Sequence, residues 1–126
     1  MQTRTFTADL RHRPRVTSVN LHGEINAFAE EALNAAYEEA EAQSSEVIML
    51  NFSDVDYINS TGIALIVGLL AQARKSHRRL LAYGLSEHYV EIFQITRLAD
   101  FMNVFPNEAE ALAYVPAPEP VSEVNA

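Results

Sequence analysis

The sequence contains no cysteine and only four glycines among its 126 residues. The lack of cysteine excludes disulfides, thiolate nucleophiles and cysteine-ligated metal sites. No glycine-rich phosphate-binding loop occurs either. The histidines lack the spacing of metal ligands; they are His12, His22, His77 and His88. We therefore expect no metal and no other cofactor.

Basic residues and long apolar runs are also scarce. Nine Lys and Arg residues stand against 17 Asp and Glu, a formal net charge of −8, which argues against a nucleic acid partner. The longest apolar stretch, Ile63 to Ala71, is far shorter than the ~20 residues that a membrane helix needs. The N-terminus has no apolar run of the signal-peptide kind. We expect a cytoplasmic protein that does not insert directly into a membrane.

Hydrophobic residues make up 48% of the chain, which is enough for the core of one domain at this length. We place this domain at residues 1–115. Residues 116–126 contain three prolines by Pro120 and no large apolar residue except valine. This composition predicts a disordered tail.

Hydrophobic periodicity predicts nine elements in the order β-β-α-β-α-β-α-β-α. The predicted strands span residues 3–11, 16–22, 46–52, 80–84 and 101–105, and the predicted helices span 27–43, 60–77, 89–98 and 107–113. Strand 46–52 is apolar almost throughout, as is typical of a central strand covered on both faces. Strand–helix–strand units favour parallel pairing and right-handed crossovers. We therefore predict an α/β fold, a mixed but mostly parallel sheet of about five strands with four helices on one side or both.

The segment from Val47 to Gly68 carries most of the functional information. The sequence predicts a buried strand, a short polar loop, and then Asn59-Ser60-Thr61-Gly62 opening a helix. A helix N-terminus has unpaired N–H groups and the positive end of the helix dipole, so it tolerates a phosphate. A phosphate on Ser60 would add nearly two negative charges to the surface. Ser, Thr and Asn are also the preferred N-caps, so these residues have a purely structural interpretation as well.

The predicted helix after Ser60 is apolar around nearly its whole circumference. The residues responsible are Ile63, Leu65, Ile66, Val67, Leu69 and Leu70. A helix of this kind is either buried on every side or binds something. We expect one face to pack on the sheet and the other, beginning beside Ser60, to dock a partner. Complete coverage by neighbouring helices is the alternative, and a weak homodimer through this helix stays open.

Residues 47–68 resemble the signature of STAS domains, and most of all that of bacterial anti-sigma-factor antagonists. That signature is an apolar strand followed by Asp-Ser-Ser/Thr-Gly opening an apolar helix. Residues 23–26, Gly-Glu-Ile-Asn, also resemble the Gly-x-Leu/Ile-Asp turn that follows the second strand of the family. The resemblance covers roughly residues 3 to 113. This sequence differs in having Asn51 and Asn59 where the family usually has Asp.

The resemblance implies regulation by partner switching. Ser60 matches the serine that is phosphorylated by a partner that is both anti-sigma factor and serine kinase, and Thr61 is the second candidate. The unphosphorylated protein would bind this partner and so free a sigma factor. Phosphorylation would release the partner, and a cognate phosphatase would reset the protein. We expect the partner to contact Asp56, Asn59, Ser60, Thr61, Gly62, Ile63 and Ile66.

Two other functions remain as alternatives. The first is a STAS adaptor without a phosphorylation cycle, such as the cytosolic subunit of a membrane lipid or anion transport complex. The second is an enzyme that uses Asp54 and Asp56 of the predicted loop as an acid/base pair. No third catalytic partner or oxyanion site accompanies them, and residues 60–62 lack the first glycine of a nucleophile elbow. We therefore predict a non-enzymatic regulator.

Overall fold

The computed structural model describes residues 4–115, and these residues form strands and helices in the predicted order. The strands are β1 (Thr7–Arg13), β2 (Val16–Ile25), β3 (Val47–Ile58), β4 (Arg79–Tyr83) and β5 (Asn103–Phe105). The helices are α1 (Glu30–Ala42), α2 (Ser60–Lys75), α3 (Glu87–Ile95) and α4 (Glu108–Tyr114), with 3₁₀ turns at Ala27–Ala29 and Leu98–Asp100. The predicted tail at 116–126 lies outside the described residues.

The five strands form one sheet in the order β1-β2-β3-β4-β5. β1 pairs with β2 in antiparallel fashion, and the other three pairs are parallel. The predicted mixed, mostly parallel sheet is therefore confirmed. Because each strand lies beside its predecessor and crossovers share one hand, the three connecting helices pack on the same face of the sheet. The fourth helix, α4, packs on the other face.

The central strand β3 contributes side chains to a core on each side of the sheet. Ile48, Leu50 and Phe52 are buried under α1, α2 and α3, whereas Val47 and Met49 are buried under α4. This two-sided burial explains the continuous apolar run at the start of the strand, because a strand covered on both faces has no solvent-facing positions.

Two predicted irregular segments are in fact extended strand. β2 continues through residues 23–25, where a turn was expected, and β3 continues through residues 53–58, where a polar loop was expected. The two strands stay paired as far as Ile25 and Ile58 through register shifts between Asn20 and His22 and between Gly23 and Glu24. Bulges of this kind absorb extra residues on one strand without ending the pairing. Polar side chains are compatible with this stretch because one face of it meets solvent.

The start of α2 lies directly against the end of β2. The Ile25 carbonyl oxygen accepts the Asn59 N–H at 3.2 Å. A Cβ on Gly62 would overlap that same carbonyl and lie 2.8 Å from Ile58 Cγ2. Only glycine at position 62 therefore allows the first turn of the helix to approach the sheet this closely.

We predict opposite effects of alanine at two glycines of α2. Gly62→Ala should lower the free energy of unfolding by about 3 kcal/mol, because the new methyl group must displace backbone in a packed region. Gly68→Ala should instead leave stability unchanged or raise it by up to about 1 kcal/mol, because a Cβ there has nothing within 4 Å and alanine favours helix. Urea unfolding of both variants tests this, and equal stabilities would contradict the close approach.

Candidate phosphorylation and partner-binding site

Asn59 caps the N-terminus of α2. Its backbone is extended, with φ −90° and ψ −176°, and its side-chain Oδ1 accepts the Gly62 N–H at 2.8 Å. Its carbonyl oxygen accepts the Ile63 N–H at 2.9 Å. A neutral amide oxygen thus performs the capping. Because Asn59 is the cap, neither Ser60 nor Thr61 has to serve as one.

Ser60 and Thr61 are the first two residues of α2, and both are exposed. Within residues 4–115, neither hydroxyl has a hydrogen-bond partner. Their backbone N–H groups precede the first intrahelical hydrogen bond, as in any helix start, and so are available to an anion. The structure therefore leaves the Ser60 hydroxyl accessible at an end of a helix that favours negative charge.

The apolar helix α2 is buried on one face only. Ile66, Leu69 and Leu70 belong to the core, whereas Val67 is 46% exposed. Ile63, in the first turn, is half-buried and packs against this core. The outward face is therefore a modest apolar surface and not a fully covered one.

Two residues predicted to contact a partner are inaccessible. Ile66 has no exposed surface, and Gly62 is buried against Ile25. In this structure both residues therefore offer a partner little or no surface for the predicted direct contact. The sequence pattern could not separate the inner from the outer side of a helix that is apolar nearly all round.

Asp54 and Asp56 lie on β3, not in a loop, and both bind Arg4. Arg4 Nε donates to Asp56 Oδ2 at 2.8 Å, and Arg4 Nη2 donates to Asp54 Oδ1 at 3.0 Å and to the Asp54 carbonyl oxygen at 2.7 Å. The Arg4 hydrogen bond lowers the pKa of both carboxyls, that of Asp54 to about 2. The two carboxylates stay ionised and paired, which is unsuitable for general acid catalysis.

His22 lies between two carboxylates on the same face of the sheet. Its Nδ1 is 2.7 Å from Asp54 Oδ2, and its Nε2 is 2.6 Å from Asp9 Oδ1. A carboxylate can only accept, so both contacts are hydrogen bonds only when both ring nitrogens carry protons. Hydrogen bonds to Asp54 and then Asp9 raise the pKa of His22 above its ordinary 6.5. This arrangement therefore favours the imidazolium form.

Amide side chains extend this network across three strands. Asn20 donates to Asp9 at 3.0 Å, and Asn51 donates to Asn20 at 2.9 Å. Asn51 Oδ1 also accepts the Ser53 N–H at 2.9 Å. Asn51 thus donates and accepts at the same time, which a carboxylate cannot do. The sequence offered one sign of the network, since Asn20 and His22 lie on the same side of the alternating strand β2.

The comparisons with known proteins agree with this architecture. The STAS domain family model matches residues 7–111. The anti-sigma-B factor antagonist of Listeria monocytogenes is 30% identical over 88 residues, which cover 70% of this chain and 77% of that relative. The chain therefore belongs to the STAS domain family.

Solved structures share the fold. The phosphorylated form of the Bacillus cell fate determinant SpoIIAA superposes with a TM-score of 0.66 at 23% identity, covering 89% of this chain and 100% of that one. A sulfate transporter family protein from Wolinella succinogenes gives a TM-score of 0.70 at 20% identity, covering 79% and 84%. The same fold is therefore found in a cell fate determinant and in a sulfate transporter family protein. Among residues 4–115, no helix has the length and hydropathy needed to cross a membrane.

We predict a pH dependence from His22. Its raised pKa means that its contribution to stability is complete below the unfolded-state value of 6.5 and is lost as pH rises through the folded-state pKa. The stability difference between the wild type and His22→Gln should therefore be larger at pH 5.5 than at pH 9. An NMR titration should place the pKa of His22 above 6.5.

A matched pair of variants controls this titration. Asp54→Asn should bring the pKa of His22 down, whereas Asp100→Asn should not, because Asp100 pairs with Arg97 elsewhere on the surface. If the pKa of His22 in the wild type is not raised, the two carboxylates do not bind the imidazolium in solution.

Proposed function

We propose that this protein is an anti-sigma-factor antagonist that acts by partner switching. It binds an anti-sigma factor that is also a serine kinase while Ser60 is unmodified, and it releases this partner once Ser60 is phosphorylated. The observation that carries the proposal is the exposed Ser60 hydroxyl, which is free of other hydrogen bonds in residues 4–115 because Asn59 caps the helix. The similarity to the Listeria anti-sigma-B factor antagonist supports this role.

The position of Ser60 suits an electrostatic switch. A phosphoserine brings about −1.5 to −2 charges. Within the protein this charge meets a helix N-terminus, which stabilises it. In a contact with a partner, however, the same charge must be desolvated or matched by a cation, and the contact weakens. Phosphorylation can therefore break the complex without any change of fold.

The charges around Ser60 favour the reaction. Asn59 supplies the cap without a carboxylate, and Asp54 and Asp56, which precede it on β3, are paired with Arg4. Less negative charge at the site makes the addition of a phosphate electrostatically easier. We propose that the whole cycle, including resetting by a phosphatase, takes place in the cytoplasm and that the protein itself catalyses no reaction.

We predict that a cognate anti-sigma-factor kinase from the same organism adds one phosphate to the wild type in the presence of ATP. Ser60→Ala should abolish this addition, whereas Thr61→Ala should retain it. Intact-mass measurement counts the phosphates, and peptide mapping locates them. Undiminished phosphorylation of Ser60→Ala would overturn the assignment. Failure of any such kinase to bind, together with capture of transporter subunits, would favour the adaptor alternative.

We also predict that Ser60→Asp weakens the complex with the kinase by roughly tenfold or more, because it leaves an unmatched charge in the contact. Ser44→Asp is the matched control. Ser44 is an exposed serine between α1 and β3, and its backbone has a positive φ of 60°, which aspartate tolerates. Calorimetric affinities at low and moderate salt measure both effects. Equal affinities of the two variants would count against the switch.

A further inference from the structure

Phe28 is the most exposed large hydrophobic side chain among residues 4–115, with 94% of its surface in solvent. Single exposed apolar residues are common and need no explanation by themselves. Two properties of Phe28 suit it to partner binding. The backbone on both sides of it is fixed, and it lies beside the proposed switch.

The backbone around Phe28 is held by hydrogen bonds. Asn26 Oδ1 accepts the Phe28 N–H at 2.9 Å, and the Asn26 carbonyl oxygen accepts the Ala29 N–H at 2.9 Å. Asn26 Nδ2 in turn donates to Glu24 Oε1 at 2.8 Å. Ala29 is fully buried in the core. The 3₁₀ turn is thus anchored while its phenyl ring remains in water, so a partner would lose little freedom of this backbone on binding it.

Phe28 and Ser60 share an attachment point. The Ile25 carbonyl accepts the Asn59 N–H at 3.2 Å and contacts the first turn of α2 at Gly62. Phe28 is three residues after Ile25, hence at most about 11 Å from it along the chain. Ser60 directly follows Asn59. A typical interface of about 800 Å² per partner has a radius of about 16 Å, which is comparable with the length of this path, so one interface is large enough to include both residues.

We infer that Phe28 is an apolar anchor that inserts into a hydrophobic pocket of the anti-sigma factor, while Ser60 controls the same contact by charge. This inference rests on the proposed function. Buried aromatic side chains dominate the energetics of most protein interfaces, and charged groups set specificity and rate. The rigid turn therefore supplies affinity, and the adjacent helix start supplies regulation.

The test compares affinities of purified variants for the kinase that phosphorylates the wild type, measured by calorimetry without ATP. Phe28→Ala should weaken binding by roughly tenfold or more. Phe28→Leu should keep most of the affinity because it keeps apolar volume. Ile95→Ala is the matched control, because Ile95 is 72% exposed at the end of α3, and it should bind as the wild type does. Thermal melts should confirm that all variants are folded.

Salt dependence gives a second measurement that a merely structural role would not reproduce. The loss caused by Phe28→Ala should be the same at low and high salt, because apolar burial is not screened. The loss caused by Ser60→Asp should shrink as salt rises. A loss that does not change with salt therefore indicates an apolar anchor, whereas a loss that shrinks with salt indicates a charge effect transmitted through the shared Ile25 carbonyl.

The outcomes separate the inference from the function on which it rests. If the wild type binds the kinase and Phe28→Ala binds equally well, the anchor is refuted and the proposed function stands. If the wild type neither binds nor is phosphorylated, both are refuted. If the wild type sediments as a dimer that Phe28→Ala dissociates, with kinase affinity unchanged, Phe28 serves a second copy of this chain and the inference is wrong.

Discussion

The close contact between the Ile25 carbonyl and the first turn of α2 determines the geometry of the whole site. The carbonyl is held by the Asn59 N–H, and a Cβ at position 62 would overlap it. With the helix start fixed there, Asn59 caps it and Ser60 is left outside. The same carbonyl begins the short path to the 3₁₀ turn that presents Phe28. One backbone group thus sets the relative positions of the proposed switch and the proposed anchor.

The two faces of the sheet are stabilised by different forces. One is covered along its length by α1, α2 and α3 over an apolar core. On the other, α4 covers one part, and polar side chains from β1, β2 and β3 occupy the rest. There Arg4 joins the segment before β1 to Asp54 and Asp56 of β3, and His22 of β2 bridges Asp9 of β1 and Asp54 of β3. This connection depends on charge, so it responds to pH and salt more than the core does.

The order of elements, the central position of β3 and the exposure of Ser60 could be predicted from the sequence, because burial on two faces and helix-start residues leave local patterns. The extension of β2 and β3 could not, since it depends on pairing between polar segments far apart in the chain. The contacts of Arg4 with Asp54 and Asp56 join residues about 50 positions apart. The burial of Ile66 could not be predicted either. Apolar residues lie on nearly every side of α2, so the sequence pattern does not show which side is buried.

The sheet ends in two edges that resist further pairing. β1, at one edge, carries Asp9, Arg11 and Arg13 within its seven residues, and charged side chains discourage another strand from adding there. β5, at the other edge, has only three residues and is followed by Pro106, which has no N–H to offer. Growth of the sheet from chain to chain is thus disfavoured at both margins. We therefore expect no edge-to-edge polymerisation of the strands even at a high protein concentration.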